Sequence, residues 1–343
     1  MSLQPQLKRL IERHETFSRS EAADLLNAIL RGETTELELA ALLAALATRG
    51  ETPAEIAGFV DAMRAAATPI PLFEAERDLL VDTCGTGADL SGTFNISTAA
   101  ALVAAAAGAS VAKHGNRAVT SQCGSADVLE ALGVPVALSP SEGAEAIRNQ
   151  SFAFLHAPSL HPAMKAVMPV RRALGIRTIF HLVGPLSNPA GARAQVMGVY
   201  APHLVPLAAE AMALLGTRHS FIVHGETEAG GIDELSISGP SQLAEVRGNT
   251  VTLSTITPEQ LGLTRTSVSA LRGGNATTNA AILRSIFAGK PGPRRDIVLL
   301  NTAAVLVTAD LAADLPAGLL LAAKTIDNGA VTALIANLGA IRQ

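Results

Sequence analysis

Residues 81–98 read VDTCGTGADLSGTFNIST, close to the point at Leu79 where the sequence pattern changes. It starts in a short apolar run, turns through Gly85-Thr86-Gly87, and ends where an Ala-rich segment begins. The pattern predicts a strand that leads into a glycine turn and then into a helix. Open α/β sheets bind their ligands at the carboxyl ends of the strands, so we expect a site at this turn.

The chain around this stretch divides into two parts. Before it, Ser18 with Glu21 and Thr52 with Glu55 form capping-box patterns ahead of apolar residues at helical spacing, which predicts an all-α module. After it, short apolar runs alternate with helical stretches; the runs are LLVD, ASVA, FAFL, AQVMGVY and SFIVHG. We therefore predict an α/β fold, with a small helical domain over residues 1–72 and a large domain with a mainly parallel sheet over 73–343.

Two further elements follow from local patterns. The stretch EVRGNTVTL, centred on Gly248-Asn249, predicts a hairpin. Residues 301–341 predict two closing helices.

Composition excludes several functional classes. The 343 residues include no Trp and one Tyr, so the core must be aliphatic, and the net charge of −4 disfavours a nucleic-acid or membrane-surface role. The polar amino terminus predicts no secretory signal, and the Ala-rich run from Ala100 is too short to cross a bilayer. Cys84 and Cys123 match neither a paired redox motif nor a metal spacing, which predicts a reduced, cytoplasmic protein.

The opening stretch has the chemistry of a phosphate site. Its glycines let backbone N–H groups approach an anion, and a helix amino terminus attracts phosphate. Four hydrogen-bonding residues lie at the start of that helix; they are Thr93, Asn95, Ser97 and Thr98. The alternative is a simple turn with a helix cap. The stretch lacks the Lys of a P-loop and the third glycine of a dinucleotide site.

Three other segments carry candidate residues. Residues 113–127, KHGNRAVTSQCGSAD, bring Lys113 and Arg117 into a polar loop, where they could bind phosphate or simply be solvated. Arg171, Arg172 and Arg177 cluster in 161–178, and one of them could hold a carboxylate. Adjacent carboxylates in GGIDELS, at Asp233 and Glu234, suggest Mg²⁺, although such a pair is often only surface charge.

Four blocks together resemble the anthranilate phosphoribosyltransferase family. They are GTGADLSGTFNIST (85–98), KHGNRAVTSQCGSADVLEALG (113–133), HPAMKAVMPVRRALGIRTIFHLVGPLSNPAGA (161–192) and GGIDELS (230–236). The resemblance implies a helical domain and an α/β domain with the active site between them, part of 165–190 packed on the helical domain, and a homodimer formed through the helical part. In this chain Ala88 replaces the third glycine of the usual GTGGD, and the connection HGETEAGGIDE is longer than is usual in the family.

The resemblance also implies the ligands and the residues that hold them. The substrates would be 5-phosphoribosyl 1-pyrophosphate (PRPP) and anthranilate, with Mg²⁺ as cofactor. PRPP would be bound by Gly85, Ala88, Asp89, Thr93, Asn95, Ile96, Ser97, Thr98, Lys113, His114, Gly115, Asn116, Arg117, Ala118, Val119, Thr120, Ser121 and Ser125. Anthranilate would contact Gly85, Asn116 and Arg171. Mg²⁺ would be ligated by Ser97, Asp233 and Glu234.

The implied reaction joins the anthranilate amine to the anomeric carbon of PRPP as pyrophosphate leaves. Because an aromatic amine is neutral at pH 7, no residue is assigned as a catalytic base. Three alternatives remain open from the residues alone. They are a pyrimidine nucleoside phosphorylase, a silent nucleic-acid-binding relative, and a dinucleotide oxidoreductase, the last disfavoured by the missing glycine pattern.

Overall fold

The structure is a computed structural model, and it describes residues 2–87, 89–118 and 122–342. Four residues predicted to bind PRPP lie outside the described residues, namely Ala88, Val119, Thr120 and Ser121.

The amino-terminal part is helical. It consists of α1 (Gln4–Glu12), α2 (Arg19–Leu30), α3 (Glu36–Arg49) and α4 (Pro53–Ala65). The predicted capping boxes at Ser18 and Thr52 are confirmed, and Thr35 with Glu38 forms a third. Each cap satisfies backbone N–H groups that a helix start leaves unpaired, so these local patterns fix where the helices begin.

The remainder is built on one eight-stranded sheet. Its strands are β1 (Leu80–Gly85), β2 (Ser110–Gly115), β3 (Phe152–His156), β4 (Ala194–Gly198), β5 (His219–Thr227), β6 (Gly230–Ile232), β7 (Ser241–Arg247) and β8 (Thr250–Ile256). The order is β3-β2-β1-β4-β5-β7-β8, with β6 paired to β5. The first five strands in this order are parallel and the others antiparallel, which confirms the predicted α/β class.

Both antiparallel connections are tight. The strands β7 and β8 pair from Arg247 and Thr250 outward, so the predicted hairpin at Gly248-Asn249 is confirmed. The connection that is longer than usual in the family forms the β5–β6 hairpin, whose turn contains Glu228. The Glu228 carboxylate accepts hydrogen bonds from the hydroxyl of Ser267 and from the backbone N–H of Val268 (2.9 Å), which anchors this turn.

Helices cover both faces of the sheet. They are α5 (Glu74–Leu79), α6 (Ile96–Ala106), α7 (Ser125–Leu132), α8 (Pro140–Gln150), α9 (Ala157–Leu160), α10 (Met168–Leu174), α11 (Phe180–Leu186), α12 (Leu204–Leu214), α13 (Ala276–Phe287), α14 (Pro293–Thr308), α15 (Leu315–Asp327) and α16 (Ala330–Gly339). Short 3₁₀ segments cover Pro162–Ala166, Glu259–Leu261, Val268–Leu271 and Ala340–Arg342.

The prediction of two closing helices is wrong, because residues 301–341 contain the end of α14 and all of α15 and α16. The Asp314 side chain accepts a hydrogen bond from the N–H of Ala317 (2.8 Å) and so starts α15. Gly329, at φ +78°, separates α15 from α16. None of the described helices is by itself long and apolar enough to cross a membrane; α15 and α16 pass only as a pair bent by 63°.

The helical part is packed against the sheet rather than tethered to it. One hydrophobic cluster joins Phe59 of α4, Phe180 and Val183 of α11, and Ile222 of β5. The Phe59 and Phe180 rings meet edge to face, with centroids 6.1 Å apart, so the expectation of an aliphatic core is wrong: buried Phe rings also contribute to it. Burial of each such ring contributes about 1.5–3 kcal/mol to folding. The opposite face of the sheet is covered mainly by α6 and α14.

Candidate active site

Three parallel strands bring two glycines and a lysine to one edge of the sheet. β1 ends at Gly85, β2 ends just after Lys113, and β4 ends at Gly198. Because parallel strands end on the same side, these residues share the edge where open α/β sheets hold ligands. The Asp233-Glu234 pair follows β6 and lies against the same edge, since Asp233 atoms lie next to Gly85 and Gly198 and the Glu234 carbonyl oxygen lies next to Gly225.

The Asp233 carboxylate lies inside the glycine turn. Its Oδ2 atom accepts hydrogen bonds from the N–H of Gly87 (2.7 Å) and the hydroxyl of Thr86 (3.3 Å). A Cβ atom on Gly85 would come within 2.4 Å of that oxygen, so a residue with a side chain cannot replace Gly85 without moving Asp233. In this structure the turn predicted to bind phosphate thus donates its hydrogen bonds to the carboxyl group of Asp233.

Glycines at the ends of β4 and β5 make room for the Asp233-Glu234 backbone. A Cβ atom on Gly198 would lie 1.5 Å from the carbonyl oxygen of Asp233. One on Gly225 would lie 2.5 Å from the carbonyl oxygen of Glu234. The absence of side chains at these two positions therefore lets the acidic segment cross directly over the strand ends.

The amino terminus of α6 meets the second carboxylate. The N–H of Ser97 donates to Oε1 of Glu234 (3.2 Å), where the helix dipole favours negative charge. Lys113 is only 2% exposed, and its ammonium group donates to the carbonyl oxygen of Thr83 (2.6 Å) and the hydroxyl of Ser97 (3.4 Å). A buried lysine, the Glu234 carboxylate and a helix amino terminus therefore converge around Ser97.

The electrostatics of this cluster favour a divalent cation. Burial and then repulsion from Asp89 raise the pKa of Asp233, while burial and then repulsion from Asp233 raise the pKa of Glu234. Burial lowers the pKa of Lys113. Two acidic side chains, Asp233 and Asp89, and one lysine, Lys113, thus interact with Glu234. Carboxylate and hydroxyl oxygens are the donors that Mg²⁺ prefers.

Mg²⁺ would need further ligands. Within the described ranges, no three His, Cys, Asp or Glu side chains stand in a metal-binding arrangement. The residues present therefore fit a cation that takes its other ligands from water and from substrate phosphate, which is the usual pattern for Mg²⁺.

Other residues of the opening stretch shape the site through the backbone. Ile96 and Thr98 are at most 2% exposed, so only their backbone atoms could meet a ligand. The hydroxyl of Thr93 lies 3.1 Å from that of Ser91. The amide of Asn95 donates to the carbonyl oxygen of Cys123 (3.1 Å) and accepts from Asn279 (2.8 Å). Sequence reasoning missed Asn279, which lies within an otherwise ordinary helix.

The loop after β2 is organised by α7. Arg117 forms ion pairs with Asp127 (3.1 Å) and Glu130 (2.8 Å), so its guanidinium group is engaged by helix α7 rather than by the α6 terminus. The N–H of Ala118 also donates to Asp127 (2.9 Å). The hydroxyl of Ser125 donates to the carbonyl oxygen of Asn116 (3.2 Å).

Close packing fixes the start of this loop. A Cβ atom on Gly115 would lie 2.4 Å from the hydroxyl oxygen of Ser125. Gly115 is therefore required for the close approach of this loop to helix α7.

A second polar cluster lies on the opposite face of β2. Strand alternation directs His114 away from Lys113, and its ring lies 5.1 Å from that of His161, centroid to centroid. Burial and then repulsion from neighbouring cationic groups lower the pKa of His114 to about 3, so the ring is neutral at pH 7. Nε2 of each ring is buried without a hydrogen-bond partner in the described part of the chain. His161, the first residue of its block, was not predicted.

Asp82 supports this cluster from β1. Its carboxylate accepts from the N–H of His114 (3.2 Å) and the side-chain amide of Asn188 (2.9 Å). Burial raises the pKa of Asp82 to about 6. These bonds tie the neighbouring strands β1 and β2 to the segment that follows α11.

Arg171 lies on α10, over the Phe180 ring at 5.3 Å from its centroid. Burial lowers the pKa of its guanidinium group. It donates to the sulfur of Met168 (3.9 Å), and among the described residues no carboxylate lies within ion-pair distance of it. The guanidinium group of Arg171 is thus available to an anionic ligand. That of Arg177 instead stacks on the Tyr200 ring, 4.2 Å from its centroid.

Comparison with models of known protein families shows the class to which this chain belongs. A family model described as "Glycosyl transferase family, helical bundle domain" matches residues 4–67. A second, described as "Glycosyl transferase family, a/b domain", matches residues 77–332. These matches follow the helical part and the sheet part in order, so the chain is a glycosyl transferase of this two-part class.

Full-length relatives narrow the class. The anthranilate phosphoribosyltransferase of Anaeromyxobacter sp. (strain Fw109-5) is 48% identical over 339 residues, which are 99% of this chain and 98% of that protein. The crystal structure of the enzyme from Thermus thermophilus matches with a TM-score of 0.91 at 42% identity, over 98% of this chain and 99% of that one. The chain belongs to the anthranilate phosphoribosyltransferases.

A more distant relative carries ligands. The Saccharomyces cerevisiae anthranilate phosphoribosyltransferase in complex with PRPP and Mg matches with a TM-score of 0.87 at 27% identity, over 99% of this chain and 97% of that one. The family predicted from the four sequence blocks is thereby confirmed. The roles of the individual residues remain predictions.

Proposed function

We propose that this chain transfers the phosphoribosyl group of PRPP to the amine of anthranilate and releases pyrophosphate, as a step of tryptophan biosynthesis. The observation that carries the proposal is the placement of Asp233 and Glu234 on the N–H groups of Gly87 and Ser97. Donors for a diphosphate and acids for a divalent cation thus lie in one buried cluster at the sheet edge.

The diphosphate of PRPP would use the same N–H groups that now bind the two carboxylates. Mg²⁺, held by Ser97, Asp233 and Glu234, would supply positive charge that stabilises the departing pyrophosphate. The carboxylates would then release the N–H groups and bind the cation instead. Phosphate oxygens would accept hydrogen bonds from the N–H of Gly87, from the α6 terminus and from Lys113. The other predicted PRPP residues belong to the same two sequence blocks, residues 85–98 and 113–133.

Anthranilate would lie beside the ribose, near Gly85 and Asn116, with its carboxylate on Arg171. A guanidinium group without an acidic partner suits that role, since it can grip a carboxylate with two parallel hydrogen bonds. The neutral amine attacks the anomeric carbon directly, so the protein has to orient two substrates rather than remove a proton beforehand.

The remaining properties are part of the same proposal. We place the boundary between a helical and an α/β domain after residue 72, and we propose a cytoplasmic homodimer formed through the helical part. Leu37 of α3 is 81% exposed and Ile11 of α1 is 52% exposed, which suits a surface that a second copy would cover.

The test is turnover by the purified chain with PRPP, Mg²⁺ and anthranilate. Loss of anthranilate fluorescence should match the release of pyrophosphate, and EDTA should abolish both. Uridine or thymidine with inorganic phosphate, which a pyrimidine nucleoside phosphorylase would convert to the free base and the pentose 1-phosphate, serves as the parallel arm for that alternative. A folded chain that consumes no anthranilate would refute the proposal, and pyrimidine-dependent turnover would replace it.

A further inference from the structure

A buried asparagine on α14 forms hydrogen bonds with the backbone of Leu235, the residue that follows the acidic pair. The side chain of Asn301 accepts a hydrogen bond from the N–H of Leu235 (2.9 Å) and donates one to the carbonyl oxygen of Leu235 (2.9 Å). It also donates to the carbonyl oxygen of Ile297, one turn earlier in its own helix (3.0 Å). Asn301 is 2% exposed and Leu235 is fully buried, so water does not take part in these bonds.

These contacts depend on the chemistry of a carboxamide. One planar group offers an acceptor and two donors, so it pairs with both polar atoms of one residue's backbone as a neighbouring strand would. Neither an apolar residue nor a carboxylate can do so. The segment is also held on its far side, where the N–H of Ser236 donates to the hydroxyl of Ser241 (2.8 Å).

These hydrogen bonds connect the two parts of the candidate active site, the acidic pair Asp233-Glu234 and the amino terminus of α6. Helix α14 packs along α6, whose first turn carries Ser97. Asn301 on α14 therefore fixes the backbone next to Glu234, whose carboxylate bonds to the N–H of Ser97. The position of Glu234 relative to the α6 terminus is thus set through a pair of packed helices and one side chain.

We propose that Asn301 is the positioning residue of the acidic pair Asp233-Glu234. It contacts neither substrate nor metal; it holds the Leu235 backbone so that both carboxylates face the glycine turn and the α6 terminus. The inference rests on the proposed function, in which these carboxylates hold Mg²⁺.

The test measures PRPP binding by calorimetry across a series of Mg²⁺ concentrations, together with thermal unfolding of each protein. Asn301→Leu removes all three hydrogen bonds at similar volume, and Asn301→Asp keeps the one accepted from Leu235. Loss of an outer-shell partner commonly weakens metal binding about 10–100-fold, so half-maximal PRPP binding should need that much more Mg²⁺ in Asn301→Leu. Asn301→Asp should fall between it and the wild type.

Thr308→Val is the matched control. Thr308 is buried on the same helix and donates to the carbonyl oxygen of Val305 (3.0 Å), so the variant loses a buried hydrogen bond far from Leu235. It should melt earlier than the wild type but keep the wild-type Mg²⁺ dependence.

The outcomes separate the two claims. A wild-type chain that does not bind PRPP with Mg²⁺ contradicts the proposed function. If the wild type binds and both Asn301 variants keep its Mg²⁺ dependence, Asn301 does not position the pair. If neither variant folds, Asn301 is a folding residue and the inference is equally overturned.

Discussion

Replacing Gly198 by alanine should damage the active site while leaving the fold in place. Gly198 ends β4 between two parallel neighbours, paired with Gly85 on one side and Val223 on the other. Its added methyl group would lie 1.5 Å from the carbonyl oxygen of Asp233 and 2.2 Å from the carbonyl carbon. Both contacts are to backbone atoms, so no side-chain rotation relieves them.

The size of the effect follows from these distances. The strand is held from both sides, so the Asp233 backbone must retreat by about 2 Å to reach ordinary van der Waals contact. Overpacking of this kind typically costs about 1–3 kcal/mol of stability. A catalytic group misplaced by about 1 Å can lose roughly 100-fold in rate, so we expect a loss of at least that size in kcat.

Turnover and thermal unfolding of Gly198→Ala should be measured beside Gly143→Ala. A Cβ atom on Gly143, in α8, would have Leu155 as its nearest neighbour at 3.6 Å, which is ordinary contact. The control should therefore be fully active and slightly more stable, since alanine favours a helix interior by about 0.5–1 kcal/mol over glycine. A Gly198→Ala enzyme with wild-type kcat and Mg²⁺ dependence would refute the close-packing argument.

Three further predictions concern the ligands. Asp233→Asn and Glu234→Gln should each lower Mg²⁺-dependent turnover at least about 10-fold, since the loss of even an outer-shell partner costs about that much. Full activity of both at limiting Mg²⁺ would contradict the metal assignment. Arg171→Gln should raise KM for anthranilate about 10–100-fold, as expected for a lost charged hydrogen bond. The PRPP affinity, measured by calorimetry, should not change. An equal loss of PRPP affinity would count against the assigned role of Arg171. Because burial raises the pKa of both Asp233 and Glu234, these groups must lose protons to bind the cation, so Mg²⁺ affinity should increase between about pH 6 and pH 8. Titrations in buffers of different ionisation enthalpy would detect the released protons. A pH-independent affinity would contradict this prediction, because it would show that both groups are already ionised.

Local patterns predicted the elements well because their causes are local. The capping boxes at Ser18 and Thr52 and the hairpin at Gly248-Asn249 each depend on residues within a few positions of one another. The count of closing helices failed for a similarly local reason: the Asp314 cap and the turn at Gly329 lie inside an almost continuous apolar run.

The arrangement of the site could be predicted only in part. Glycine turns and the Asp-Glu pair identified the chemistry, yet nothing local indicates that Asp233 meets Gly87, a residue 146 positions earlier in the chain. Asn279 and Asn301 gave no signal, since a single polar residue in an apolar helix carries little information in sequence. Their roles arise from packing against segments that are distant in sequence.

The most direct test of the proposed active site is a crystal structure with PRPP and Mn²⁺, in which anomalous scattering locates the metal. We expect a metal at coordination distance from the Asp233 or Glu234 carboxylate, about 2.1 Å for an ion of the Mg²⁺ type, with a diphosphate oxygen accepting from the N–H of Gly87. A metal that contacts neither carboxylate, or a diphosphate bound away from the glycine turn, would contradict it.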